Sequence, residues 1–319
     1  MSERHPLTAA GPDAVVPRPA PLVAATGPGP LRGDDHHVLA ATGRPLGPIA
    51  SRRLVVVAAL VVGALALLGL LAPVLAPEGP FRTSRDRLAP PSSEHLMGTD
   101  DLGRDVAVGT AYGARTSLAV ALGVVAVAGG LAFVVGSAAG YGGGRIDDVL
   151  MRLAELVLVL PRFFLAVATA ALLGAGFVPL VAVVGLTSWP VPARILRAEI
   201  LVRRELPYVE AAHSMGASRS WILVRHVLPN SFGPFFVSIS LLAGTAILIE
   251  AGLAFLGLAD ADQPSWGTML GDAQPYLRQA PWMVLFPGLA VTLAVLALNL
   301  LGDGLVESFH RRSPRPRRR

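Results

Sequence analysis

A group of polar side chains in the first third of the chain has the residue types of a metal site. His95, Asp100, Asp101 and Asp105 lie close together in the sequence, and imidazole and carboxylate groups bind divalent metals when they converge at defined spacing. Here the spacing is poorly defined and glycines interrupt the group, which favours a loop fixed by local hydrogen bonds. We therefore predict no metal site. We expect Asp100 and Arg104 either to hold the loop together or to form part of an outer surface.

Polar residues inside apolar stretches are the second candidate for chemistry. A charge at the centre of a membrane helix costs about 2.5–3.5 kcal/mol, so it is a functional candidate by default. Glu155 and Arg162 lie seven residues apart in one apolar stretch. A continuous helix would place them on one face, about 10.5 Å apart along its axis, which argues against direct pairing. For Glu250, Asn299 and Asp303, hydrogen bonding between helices is as good an explanation as contact with a solute.

Several classes of catalytic site are excluded by composition. The chain contains no cysteine, and all 27 of its basic residues are arginine. Thiolate chemistry is therefore absent, and a nucleotide-binding P-loop lacks its lysine. Because no Ser-His-Asp arrangement and no helical HExxH motif stands out, the sequence gives no basis for catalysis in this chain.

The elements that must position these residues are predicted to be membrane helices. Of the 319 residues, 53% are hydrophobic and only 15% are charged, and the mean hydropathy is +0.57. The charges occur in clusters between long apolar runs, which is typical of an all-α polytopic membrane protein. The arginines flank apolar runs and form no stripe interleaved with aromatic residues, so membrane orientation explains the basic pI of about 10.5 better than nucleic-acid binding does.

The apolar runs predict six transmembrane helices. Residues 1–50 are rich in Pro, Ala and Gly and are predicted to be a disordered cytoplasmic tail. Residues 51–114 hold the first span and an outer loop, residues 115–309 hold five more spans, and residues 310–319 form a basic tail. The predicted spans are 54–75, 115–140, 149–173, 177–195, 231–255 and 282–301. With both termini inside, cytoplasmic segments contain twenty arginines and outer loops six, which favours that orientation.

The basic segment 196–230, between the fourth and fifth spans, has the spacing of a short helix pair. Glu210 lies near a helix start, where it complements the helix dipole. Gly216 would end that helix in a left-handed cap, and Ser218 could cap the next helix. Pro229 is tolerated in a first helical turn and marks the entry to the fifth span. A transporter driven by a separate ATPase needs a rigid cytoplasmic element of this kind.

The same segment resembles the signature of ABC-importer permeases, which reads E-A-A, three residues, G, nine residues, a hydrophobic position, one further residue and then L-P. His226 stands where the signature usually has an apolar residue. In that family the segment is the coupling helix that contacts the ATPase, and the resemblance implies this role here; an amphipathic helix pair without a partner is the alternative. The matching residues are Glu210, Ala211, Ala212, Gly216, Leu228 and Pro229.

Other blocks between about residues 51 and 309 resemble the dipeptide, oligopeptide and nickel branch of these permeases. Within that branch they resemble the second of its two permease subunits. The branch usually has a small or apolar residue after Pro161, so Arg162 departs from it. Arg162 either lines the pathway and meets a substrate carboxylate, or pairs with a partner permease or snorkels. The outer-loop block consists of Gly98, Thr99, Asp100, Gly103, Arg104 and Asp105.

The resemblance implies an importer-permease (MetI-like) core in the bacterial plasma membrane, and a transporter subunit that is not an enzyme. It implies four kinds of partner: a homologous second permease, two ATPase subunits, an external solute-binding protein and membrane lipid. No cofactor is expected in this chain, because ATP and Mg²⁺ belong to the ATPases. The cargo stays open among dipeptides, longer peptides, nickel chelates and glutathione-like compounds. An ion-coupled secondary transporter, an intramembrane enzyme and a membrane scaffold are the remaining alternatives.

Overall fold

The structure, a computed structural model, describes residues 48–260 and 262–310. The tail predicted at 1–50 lies outside this range except for residues 48–50, and residues 311–319 of the basic tail also lie outside it. The described residues form eleven α-helices: α1 (Pro48–Leu75), α2 (Val106–Gly142), α3 (Gly144–Val159), α4 (Arg162–Leu173), α5 (Phe177–Ser188), α6 (Pro190–Arg204), α7 (Pro207–Ser214), α8 (Arg219–Ile222), α9 (Leu228–Phe255), α10 (Trp266–Ala273) and α11 (Trp282–His310).

The all-α, multi-span prediction is confirmed. In the described part of the chain, five helical stretches are long and apolar enough to cross a membrane: 53–75, 106–142, 177–204, 219–255 and 282–304. A sixth crossing results if the bent pair of α3 and α4 counts as one span. The predicted positions of the apolar segments therefore hold, while several helix ends differ.

The third predicted span, 149–173, is not one straight helix. Its two halves, α3 and α4, are bent by 70° where Leu160 and Pro161 separate them. Proline has no N–H to donate and disfavours a helical residue before it, and Leu160 is extended (φ −75°, ψ 122°). The expectation that Glu155 and Arg162 share one helix face was therefore wrong, because they lie on opposite sides of this break.

Three other spans begin or end beyond their apolar residues. The second begins at Val106 instead of Arg115, because Asp105 caps α2 by accepting hydrogen bonds from two backbone N–H groups. The fourth continues through α6 to Arg204, and the fifth is helical from Arg219. Hydropathy alone misses these polar extensions, since it detects the part of a helix inside the membrane and not the whole helix.

Helix α2 lies at the centre and packs on α1, α5, α6 and α9. Small or slender buried residues recur at nearly every turn along it, which allows close approach of neighbouring backbones. At Gly136 an added Cβ would lie 2.7 Å from the carbonyl oxygen of Ala193 on α6, and at Gly140 it would lie 2.9 Å from the Cβ of Ile200. These contacts fix α6, and with it the short helices α7 and α8 that follow.

The first turn of α3 is joined to the middle of α6 by an ion pair between Asp147 and Arg197. Helix α11 packs against α9 and α1, which completes the bundle around α2 and α9. The tightly packed residues on α2, α6, α9 and α11 belong to one continuous apolar core. The helices on both sides of segment 196–230 are therefore anchored in the same core.

Candidate functional site

The helix predicted around Glu210 is α7, an eight-residue helix with one buried and one exposed face. Val209 and Ala212 are buried in the core of the protein. Glu210, Ala211 and His213 are exposed. Glu210 lies in the first turn, where its charge complements the helix dipole. The buried pair fixes the helix on the bundle, and the exposed residues form a surface that another protein could contact.

Gly216 ends this helix in the predicted left-handed conformation. Its φ is +82°. The N–H of Ala217 donates to the carbonyl oxygen of Ala212 at 3.1 Å, and the N–H of Gly216 donates to that of His213 at 2.9 Å. This pair of bonds is the Schellman arrangement. Ser218 then caps α8, as predicted, by accepting from the N–H of Trp221 at 3.3 Å.

The connection from α8 to α9 is a π-helical turn, Leu223–Val227. Pro229 is the second residue of α9, in the first helical turn as expected, although the π turn joins this helix to α8 without a break. The π turn accommodates it: the N–H of Leu228 bonds to the carbonyl oxygen of Leu223, five residues back. The side-chain amide of Asn230 donates to the carbonyl oxygen of His226 at 2.7 Å. Leu228 is buried and Pro229 is exposed.

His226, where the permease signature has an apolar residue, joins the two short helices through aromatic contacts. Its ring centroid lies 4.9 Å from that of Trp221 on α8 and 6.3 Å from that of Tyr208 on α7. The imidazole thus packs as a flat ring between two others. His226 therefore has a packing role although it is not the apolar residue of the signature.

The outer-loop block is held by local hydrogen bonds. The buried hydroxyl of Thr99 donates to the carbonyl oxygen of Asp86 at 2.5 Å and accepts from the N–H of Ala89 at 2.9 Å. Asp100 accepts from the backbone N–H groups of Leu102 at 2.9 Å and Arg104 at 2.7 Å. Burial raises the pKa of Asp100, and these two hydrogen bonds oppose that rise.

Gly98 and Gly103 adopt positive φ values of 76° and 75° in this block. Asp105 accepts from the N–H of Ala107 at 2.7 Å and lies 2.9 Å from Nδ1 of His95. No three His, Asp or Glu side chains within 48–260 and 262–310 are arranged to hold a metal ion. The carboxylates of Asp100 and Asp105 thus bond to the backbone of this loop and to the start of α2.

The polar residues of the spans have separate partners. Glu155 forms an ion pair with Arg194 of α6 at 3.1 Å, and Arg162 donates to the buried hydroxyl of Ser188 at 3.5 Å. Glu250 accepts from the hydroxyl of Ser117 on α2 at 2.9 Å. The structure therefore places these three charges in three different polar contacts between helices.

The two polar residues of α11 occupy different settings. The side-chain oxygen of Asn299 would lie 3.2 Å from a Cβ added at Gly244, so Asn299 packs closely on α9. Asp303 is exposed in the C-terminal part of the helix. Neither residue takes part in a hydrogen bond or ion pair with Glu155, Arg162 or Glu250 among the described side chains.

A comparison with protein families decides the identity of the bundle. Residues 132–314 match the family of binding-protein-dependent transport system inner membrane components. The chain belongs to this family of ABC-importer permeases. The resemblance inferred from the signature is thereby confirmed, and the permease is a multi-pass inner-membrane protein.

Individual relatives cover most of the permease. It is 39% identical over 261 residues to a dipeptide transport system permease protein, DppC, of Alkalihalophilus pseudofirmus, a match that covers 81% of this chain and 85% of the relative. It is 42% identical over 226 residues to a putative peptide permease protein of Brucella suis, covering 70% and 75% of the two chains. A putative peptide transport system permease protein of the same organism is 41% identical over 249 residues, covering 76% and 83%.

Sequence reasoning missed several residues that position the candidate site of the permease. Ser117 and Ser188 are ordinary hydroxyl residues within apolar runs, and nothing in their spacing reveals partners 133 and 26 residues away. Arg194 and Arg197 were counted only as orientation signals, whereas both form ion pairs with α3. The acidic residues of α3, Asp147 near its start and Glu155 near its end, were the available signal for these pairs.

Proposed function

We propose that this permease imports peptides and that it receives motion from separate ATPase subunits through α7 and α8. Three relatives that match most of the chain are named as dipeptide or peptide permeases, which supports the substrate class. The observation that carries the coupling role is the two-sided α7, with Val209 and Ala212 buried and Glu210, Ala211 and His213 exposed. A helix fixed on one face can transmit a push that it receives on the other.

The proposed complex contains this chain, a homologous second permease, two ATPase subunits, which bind ATP and Mg²⁺, and an external binding protein. The binding protein delivers peptide to the outer loops, including the block around Asp100 and Arg104. ATP binding brings the ATPases together, and α7 passes that movement to the spans as alternating access. The driving free energy comes from the different affinity of the ATPases for the two states, which the permease relays.

The proposed function also requires one orientation of the chain in the membrane, in which both of its ends and α7 lie on the cytoplasmic side. The larger number of arginines in the segments assigned to that side supports this orientation. Within segment 196–230 the exposed or half-buried arginines flank α7 and α8, as expected of a surface that lies outside the hydrocarbon layer.

Site-specific labelling tests orientation and coupling together. Because the chain contains no cysteine, Ala211→Cys on the exposed face of α7 is a single reactive site, and the buried Ala212→Cys is its matched control. We expect a membrane-impermeant thiol reagent to label Ala211→Cys in inside-out vesicles and to leave right-side-out vesicles unlabelled. We also expect the ATPase subunits to protect it. Labelling from the outer face would overturn the orientation and the coupling role.

Transport assays test the substrate class and the energy source. Reconstituted permease with its companion subunits should accumulate a dipeptide only when ATP is hydrolysed. Accumulation without a nucleotide-hydrolysing companion would refute the proposed energy source. ATP-driven uptake of a nickel chelate, without uptake of peptides, would refute the proposed substrate class. Arg162→Leu tests the pathway role of that residue, since unchanged uptake of every substrate would leave Arg162 only its contact with Ser188.

A further inference from the structure

The carboxyl group of Glu250 lies where three separate parts of the outer half of the bundle meet. Its side chain belongs to α9, and the residue is only 3% exposed. The hydroxyl of Ser117 on α2 donates to it at 2.9 Å. Ser265, at the start of α10, lines the same cavity as Glu250. Ser265 is the residue that caps α10, where its oxygen accepts from the N–H of Thr268 at 3.2 Å.

The first turn of α10 is inserted deeply beside this carboxyl. Trp266 is fully buried, and its ring N–H donates to the carbonyl oxygen of Thr110 on α2 at 3.0 Å. A Cβ added at Gly267 would lie 2.6 Å from the Cα of Ala251 on α9. The outer segment 256–276 therefore contacts both α2 and α9 through its best-packed residues, with Glu250 at the same place.

The same carboxyl lies in the wall of a small cavity of about 40 Å³. Leu258, Gln263 and Ser265 of the outer segment form one side of it, and Thr169 of α4 and Phe177 of α5 lie on another. A space of this size holds only one or a few water molecules. The position of the outer segment relative to α4 and α5 therefore sets how wide this cavity is.

We infer that Glu250 is a positioning residue that holds the end of α9, and with it the outer segment packed on α9, against α2 and so keeps the cavity narrow at its outer end. Two neutral hydroxyls near the carboxyl, those of Ser117 and Ser265, suit this role, because neutral groups can exchange partners when the helices rearrange. Glutamine at position 250 keeps an oxygen that can accept from Ser117 and an amide that can donate. Alanine has neither group. The inference rests on the proposed function only in assigning the cavity to the transport path.

Thiol accessibility of the cavity tests the inference without any transport assay. Thr169→Cys places one reactive group in the cavity wall, in a chain that has no other cysteine. The native hydroxyl of Thr169 bonds only within its own helix, to the carbonyl oxygen of Leu165, so this change is mild. The rate of modification by a charged, membrane-impermeant thiol reagent is then measured from the outer face with Glu250→Ala, Glu250→Gln or Thr245→Ala added.

We expect Glu250→Ala to raise the modification rate about tenfold, the effect of losing net hydrogen bonding of roughly 1.4 kcal/mol. Glu250→Gln and the matched control Thr245→Ala, which changes an exposed hydroxyl on the same helix, should stay within about twofold of the parent. Equal rates in the alanine variant and the parent would overturn the inference. An equal rise in the alanine and glutamine variants would overturn it as well.

A milder variant covers the case in which Glu250→Ala fails to insert or fold. Ser117→Ala removes one of the two hydroxyls and should raise the rate about threefold, and no change in it would then overturn the inference. The proposed function fails separately, through loss of ATP-driven uptake in the parent complex. A labelling response without such uptake would leave Glu250 in its positioning role and remove the importer mechanism.

Discussion

Replacing Gly216 by alanine should weaken the junction between α7 and α8 without disturbing the packing around it. The φ of Gly216 is +82°, and an added Cβ would meet no atom within 4 Å. The whole cost is therefore conformational, about 1–2 kcal/mol for an L-residue in the left-handed region. Two backbone hydrogen bonds, from Gly216 to His213 and from Ala217 to Ala212, depend on that conformation.

A cost of 1–2 kcal/mol corresponds to a change of roughly 5–30-fold in the equilibrium between the capped and opened junction. We expect Gly216→Ala to lower the peptide uptake obtained per ATP hydrolysed, by up to that factor, because an opened junction transmits less of the ATPase movement. Gly216→Asn should lose no more than about threefold, since asparagine adopts the left-handed region more readily. Uptake and ATP hydrolysis are measured together in proteoliposomes that contain the full complex.

Gly144 provides a matched control on the same side of the membrane. Its φ is +50°, and an added Cβ would also meet no atom within 4 Å, but it lies at the start of α3 and outside segment 196–230. Gly144→Ala should lower thermal stability by a similar amount and leave uptake per ATP unchanged. Equal uptake per ATP in the two alanine variants would refute the reasoning, because backbone strain anywhere on this face would then account for the loss.

Three further changes test the packing and the charges. Gly267→Ala should lower the melting temperature by the equivalent of about 1–3 kcal/mol, because the added Cβ would overlap α9. Gly63→Ala, in open space on α1, should not lower it. Equal melting temperatures of the two variants would contradict the close packing at Gly267. Arg197→Ala should lower the free energy of unfolding by about 1–3 kcal/mol, because it leaves Asp147 unpaired. Adding Asp147→Asn to Arg197→Ala should recover part of that loss. Strictly additive effects of the two substitutions would count against the ion pair. Burial raises the pKa of Asp272 above its usual 3.8, so the folded state binds this proton more tightly than the unfolded state does. The melting temperature should therefore rise as pH falls from neutral towards 4. Asp272→Asn should reduce this dependence of melting temperature on pH, and an unchanged dependence would exclude this carboxyl as its source.

Local signals in the sequence predicted the residues that end and cap elements. The left-handed turn at Gly216 and the cap at Ser218 follow from residue type and spacing, because both structures form within a few residues of the chain. The apolar runs predicted the positions of the spans, since each run must be about as long as the membrane is thick.

The polar contacts between helices could not be predicted from the sequence. Glu250 was recognised as a polar residue in a span, yet its partner Ser117 is a common residue 133 positions away in the chain. The interpretation of Glu155 and Arg162 failed because it assumed a straight helix, and a single bend of 70° gave each residue a different neighbour.

The sequence by itself thus determined that this chain is a bundle of membrane helices with a capped helix pair at residues 207–222, because hydropathy and capping act locally along the chain. Only the tertiary structure decided that Glu250 of α9 bonds to Ser117 of α2, and that α7 buries Ala212 while it exposes Ala211. Those arrangements depend on where helices distant in sequence approach each other. That approach is set by the packing of small residues such as Gly136 and Gly267 against neighbouring backbones, and no local pattern encodes it.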